Sequence, residues 1–163
     1  MDQQLKDALW HQFGASIDML ANAIAACPDE LWDTETKFWY SGYHTLFFLD
    51  YYLSDDPNNF TPPAPFTLTE LDPTGVMPER VYSKQELLTY LKFGKQKCHN
   101  LVTSLTAETA AKRFINEYRN YNIIEILLYN MRHVQHHAAQ LNLLLRQSGH
   151  TPSKWVSQTE EGL

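Results

Sequence analysis

Cysteine is scarce in this chain: only Cys27 and Cys98 occur, far apart and without a C-x-x-C pair. Nothing in that spacing recommends a disulfide over two buried free thiols in a reducing cytoplasm, which are the expectation. No apolar run approaches the roughly 20 residues needed to cross a bilayer. The opening Met1-Asp2-Gln3-Gln4-Leu5-Lys6-Asp7 carries charge where a signal peptide has an apolar core. A cytoplasmic protein with no membrane partner is therefore expected. Positive charge is also short, with 13 Lys and Arg against 19 Asp and Glu, a formal net charge of −6. No basic cluster stands out, so a nucleic-acid partner is not expected, because phosphate backbones are bound by net-positive faces. Fixed-period repeats and low-complexity segments are missing too.

What is present is material for one core. The 163 residues are 44% apolar and 13% aromatic, which fits a single packed domain over residues 1–163. Four segments carry helical periodicity. The first runs from about Gln3 to Ala26, with Leu5, Leu9, Phe13, Ile17, Leu20 and Ile24 on one stripe. Cys27-Pro28-Asp29 ends it, and Pro28 to Trp32 has room for one further turn. The second, about Glu35 to Leu53, is aromatic around most of its circumference, as a central buried helix is. The third opens at Ser83-Lys84-Gln85-Glu86, a capping-box pattern, and continues through Leu87, Leu91, Gly94, Cys98 and Leu105. The fourth spans about Asn122 to Gln147 and stops at Ser148-Gly149.

Between the second and third helices, residues 54–82 hold six prolines and exclude a long helix. A connection that long either returns the chain to the start of the bundle or covers a site, and the two roles are compatible. Residues 150–163 form a C-terminal tail. The expected architecture is an all-α four-helix bundle with one long crossover connection, a fold that places metal sites on facing helices.

Histidine carries the functional signal. At about 100° of rotation per residue, His133 and His137 lie on one side of the last helix, at the edge of its stripe of Ile123, Leu127, Val134, Ala138, Leu141, Leu144 and Leu145. His136 falls outside, toward solvent. Such a pair alone is more often an ordinary polar couple than a ligand pair. His44 alters that balance, because it stands in the aromatic second helix with Tyr40 and Phe48 one turn to either side. A neutral imidazole buried there loses on the order of 1–3 kcal/mol for each unsatisfied nitrogen. A metal on one nitrogen and an acceptor on the other resolve both. His44, His133 and His137 are thus expected to share a divalent transition-metal ion, in preference to a satisfied core-histidine network. His11, His99 and His150 read as surface residues. Gln140, one turn beyond His137, and Tyr40, on the side of His44, are the candidates for a catalytic or substrate-orienting role. The aromatic run Phe38-Trp39-Tyr40 with Phe47, Phe48, Tyr51 and Tyr52 otherwise reads as core. No inward-facing carboxylate is evident as a general base, since Glu125 falls on the polar side of its helix.

The segments Trp39-Tyr40-Ser41-Gly42-Tyr43-His44 and His133-Val134-Gln135-His136-His137-Ala138-Ala139-Gln140 resemble the hallmarks of the DinB family of DinB/YfiT-like metalloenzymes. The resemblance spans nearly the whole chain in helix order. It implies a three-histidine site for zinc, nickel or a similar ion, with water completing the shell, and a homodimer. It also implies a small-molecule substrate, with a low-molecular-weight thiol among the partners of such proteins. Two functions stay open at this point. One is a metal-dependent enzyme working by hydrolysis or thiol S-transfer. The other is a non-catalytic, metal-stabilised bundle that binds a ligand or serves a stress response. Three protein ligands instead of four favour chemistry.

Overall fold

A computed structural model describes residues 1–163. The chain is mostly helical: α1 (Gln3–Ala26), α2 (Asp29–Trp32), α3 (Phe38–Tyr51), α4 (Lys84–Ser104), α5 (Ala107–Ala111) and α6 (Ile123–Gln147), with a two-stranded hairpin of β1 (Arg113–Ile115) and β2 (Asn120–Asn122). The four long helices form the body, in which α1 and α3 each pack against both α4 and α6. One continuous apolar cluster fills the space between them. No helix is long and apolar enough to cross a membrane.

Local chemistry accounts for the helix ends. Asp2 caps α1 through the Gln4 amide, Ser83 and Glu86 close a reciprocal capping box on α4, and the Asn122 side chain accepts from the Glu125 amide to start α6. Gly149, at φ 81°, ends α6 in the left-handed region while the His150 amide donates back to the Leu145 carbonyl at 2.8 Å. The second helix begins at Phe38, three residues later than its pattern suggests. Lys37 sits at φ 50°, ψ 52°, and the Asp33 carboxylate accepts from both Lys37 Nζ and Trp39 Nε1, holding a turn where the helix would otherwise extend.

Ten residues of α3 are buried, in keeping with its all-round aromatic character. It approaches α4 closely because glycines stand at two contacts. A Cβ on Gly42 would lie 3.1 Å from Leu87, and one on Gly94 would lie 3.0 Å from Leu49. The stripe of α1 is buried from Leu9 onward, whereas Leu5 in its first turn is exposed.

The C-terminal tail is docked along α1. The Thr159 amide donates to the His11 carbonyl, Thr159 Oγ1 donates to Asp18, and Trp10 Nε1 donates to the Glu161 carbonyl at 2.7 Å. His11 and His99 are therefore half-buried and not free surface residues. His99 lies edge-on against Trp10, with Nε2 3.2 Å from the Gly162 carbonyl. His150 is half-buried as well. Cys27 and Cys98 are free and buried, and burial pushes the Cys27 thiol up to about 11 and Cys98 higher still. Neither is a thiolate at neutral pH.

Between α4 and α6 the sequence pattern gave no element, yet α5 and the hairpin occur there. β1 and β2 pair antiparallel with Phe114 opposite Tyr121. Phe114 is buried edge-on against Tyr51 and Tyr52, and Asn116 Nδ2 donates to the Tyr51 hydroxyl at 3.0 Å, so the hairpin is fastened to the end of α3.

Candidate metal centre

The three histidines singled out by spacing come together. Their ligand nitrogens all lie within 4.8 Å of one another, a group that could hold a metal ion. Ring centroids are 5.4 Å apart for His44 and His133, 4.9 Å for His44 and His137, and 4.6 Å for His133 and His137. The period of α6 puts His133 and His137 one turn apart, and the contact of α3 with α6 delivers His44. His136 is exposed, as its direction on the helix requires.

Two of the imidazoles are oriented by acceptors. His44 Nδ1 lies 2.6 Å from Glu70 Oε2, and the Glu70 side chain is only 4% exposed. His137 Nδ1 lies 2.7 Å from Gln140 Oε1. A carboxylate or amide oxygen accepts, so each Nδ1 carries a proton, and in the neutral ring Nε2 keeps the lone pair. His44 is bonded to neither tyrosine nor backbone; its partners are Glu70 and His133.

His133 makes the donor set informative. Its Nε2 is 3.4 Å from His44 Nε2, and its Nδ1 is buried without a partner. If His133 donates from Nε2, a buried lone pair is orphaned on Nδ1. If it carries its proton on Nδ1, that buried N–H lacks an acceptor and two lone pairs face each other across 3.4 Å. A cation between them relieves the facing lone pairs of the second arrangement. With metal–nitrogen bonds of about 2.0–2.1 Å, tetrahedral ligand atoms stand roughly 3.4 Å apart, which matches the His44–His133 separation. The residues present could therefore hold a divalent ion.

Electrostatics agree with neutral imidazoles. Desolvation, reinforced by the neighbouring His137 and His44, pushes His133 down to about 3. Desolvation and His44 push His137 down to about 4, against the opposing hydrogen bond to Gln140. A histidine that binds a metal must be unprotonated, and burial favours that form at His133 and His137.

Glu70 is the residue beside the three histidines that helix spacing missed. It sits in a single 3₁₀ turn, Thr69–Leu71, within the proline-rich connection. That connection returns along α3 and α4, where the Tyr43 hydroxyl donates to the Thr67 carbonyl at 2.8 Å and Phe66 stacks on Tyr90, and it meets the histidines through Glu70. Glu125 is exposed, as expected, and the inward carboxylate comes from Glu70 instead.

Gln140 is exposed and touches the site only through His137, which makes it a positioning residue. Tyr40 is half-buried, its ring 6.5 Å from that of His44. Burial, then the adjacent Glu70, raises its hydroxyl well above the ordinary tyrosine range, so it stays protonated. Phe48 is half-buried and not core, with its ring 4.9 Å from His44 and 5.7 Å from His133.

Two depressions adjoin the site. A groove of about 660 Å³ between α1 and α6, under the exposed Trp155, has His133 at its border. A cleft of about 510 Å³ between the connection and the hairpin is lined by Glu70, Phe48, Tyr52 and Arg119 among others. No family model matches the chain, and no match is found among curated proteins.

Proposed function

We propose that this protein is a DinB-like metalloenzyme: a four-helix bundle of α1, α3, α4 and α6 holding a divalent transition-metal ion, zinc, nickel or a similar ion, on His44, His133 and His137. It acts on a small molecule by hydrolysis or by S-transfer from a low-molecular-weight thiol, as a homodimer. The observation that supports this reading is the convergence of three imidazoles, two of them anchored at Nδ1 by Glu70 and Gln140, which leaves Nε2 available.

A divalent ion in that position supplies Lewis acidity, enough to bring water or a thiol to ionisation near neutral pH. The remaining work belongs to the chain. Glu70 fixes the tautomer and ring plane of His44, as carboxylate partners of ligand histidines do. Gln140 does the same for His137. Phe48 and Tyr52 wall the His44–His133 edge with apolar surface and limit the water that reaches it. Tyr40 presents a protonated hydroxyl beside Glu70.

The test is elemental analysis of protein purified without a nickel column. About one equivalent of metal is expected in the wild type, and His44→Ala and His137→Ala should each lose most of it. Full occupancy in both variants, or none in a wild type incubated with zinc or nickel, overturns the assignment. A second prediction concerns Glu70→Gln, which keeps the shape but weakens the acceptor facing His44. Metal affinity, read by competition with a chromophoric chelator, should fall about 10–100-fold. Unchanged affinity would remove Glu70 from the centre.

A further inference from the structure

We propose that the cleft between the proline-rich connection and the hairpin is the substrate subsite, and that Arg119 binds there the carboxylate of a small monoanion whose planar or apolar body lies on Phe48 and Tyr52. The metal-centre reading supplies the reaction on which this inference rests, and the test below separates the two.

Arg119 is a half-buried cation with no counter-ion. It takes part in none of the ion pairs of the fold. Its guanidinium lies over two tyrosine rings, 4.6 Å from the Tyr129 centroid and 5.3 Å from that of Tyr52, and Nη2 donates to the Tyr129 hydroxyl at 2.6 Å. The Tyr129 hydroxyl is the one side-chain acceptor it meets. Two rings and a hydroxyl hold the guanidinium plane in place while leaving the rest of its donor fork unused. A fork of that kind matches a carboxylate, which it binds through two parallel N–H···O bonds.

Its position ties it to the histidines. Tyr52 carries Arg119 on one side and faces His133 on another, at a ring distance of 6.0 Å. Phe48 stacks on Tyr52 at 5.5 Å and touches both His44 and His133. An anion on Arg119 is thus one aromatic ring away from the imidazole cluster, with an apolar wall leading toward it. The volume of about 510 Å³ lies within the range of small-molecule sites.

Charge sets the class of anion. Three carboxylates border the same cleft, Glu70, Asp72 and Glu117, against the single Arg119. Glu70 is engaged by His44, and Asp72 accepts from the Thr74 amide and hydroxyl, so neither neutralises Arg119. Their field repels a dianion more strongly than a monoanion. That favours a monocarboxylate over a phosphate ester.

The sequence offered no direct sign of this residue. Arg119 is placed by the hairpin turn, where the Asn116 side chain accepts from the Tyr118 and Arg119 amides.

The experiment titrates benzoate, phenylacetate and 3-phenylpropionate into the full chain by ligand-observed NMR, with and without added zinc, and the matching neutral amides serve as controls. At least one carboxylate should bind the wild type, its amide should bind at least tenfold more weakly, and Arg119→Gln should lose at least tenfold in affinity. Arg119→Lys, which keeps the charge and loses the fork, should fall between. Zinc content is measured on each variant and should not change. Carboxylate binding that depends on Arg119 in a protein taking up no zinc upholds the subsite and overturns the metal centre. Carboxylate binding equal in wild type and both variants overturns the subsite, as does failure of all three acids to bind the wild type.

Discussion

Asp50→Ala destabilises the protein by about 3 kcal/mol, which for a domain of this size lowers the melting temperature by roughly 6–12 °C. Asp50 is buried on α3, two turns from His44, and both of its oxygens are engaged. Lys97 Nζ donates to Oδ1 at 2.5 Å, and the Tyr90 hydroxyl donates to Oδ2 at 3.0 Å. Truncation leaves a deeply buried tyrosine without its acceptor and Lys97 with only the backbone carbonyl of residue 50, at 3.1 Å, the costly way to break a buried pair. The loss falls at the lower end for such pairs because Lys97, 30% exposed, can turn to water. Asp50→Asn keeps an acceptor for Tyr90 and should lose less. Replacing Asp50 and Lys97 together by Leu and Met removes both charges and should cost less than Asp50→Ala alone. Thermal denaturation of the three proteins in one buffer checks the order. If Asp50→Ala melts with the wild type, the ion pair is not what fastens α3 to α4.

The same helix is fastened on its other side by Asn130, fully buried, whose Nδ2 donates to the Leu49 carbonyl at 2.9 Å. Asn130 precedes His133 by three residues on α6. The Asp50 tie holds α3, which carries His44, to α4, and the Asn130 tie holds it in register with α6, which carries the other two imidazoles. The centre thus depends on polar contacts that the apolar stripes do not reveal.

That division explains what could be read from residue order alone. A helix repeats its direction every 3.6 residues, so the inward tilt of His133 and His137, the outward one of His136 and the core face of α6 follow from spacing. His44 was legible because an imidazole amid aromatic neighbours needs a partner. Glu70 was not, because it comes from an irregular segment with no period to fix where a side chain points. The hairpin was equally silent. Its strands are three residues long, too short for alternation to separate strand from loop, and Ile115 is half-exposed while Phe114 alone reaches the core. Arg119 inherits that silence. The docked tail was missed for a different reason, since its hold on α1 comes from hydrogen bonds of Thr159 and Glu161 and not from an apolar stripe.

Acidifying the metal-stripped protein from pH 7 to pH 4 should lower its stability, and the two α6 histidines should account for a measurable share of the loss. Unfolded histidine titrates near 6.5. In the folded chain His133 is held at about 3 and His137 at about 4, chiefly by desolvation. Both folded values are depressed, so below about pH 6.5 the unfolded chain takes up protons that the native chain refuses. Their contribution is complete above that pH and is lost progressively as the pH falls toward 4 and then 3. Carboxylates add their own acid dependence, so the comparison that isolates the effect is with His133→Gln, His137→Gln. The double variant should show a shallower fall in melting temperature between pH 6.5 and 4. Zinc at 100 times its dissociation constant should stabilise the wild type by about 2.7 kcal/mol at neutral pH. That increment should vanish on acidification, because protons compete for the same lone pairs. Equal slopes for variant and wild type would mean that the imidazoles charge freely in the native state, which neutral, desolvated ligands cannot do.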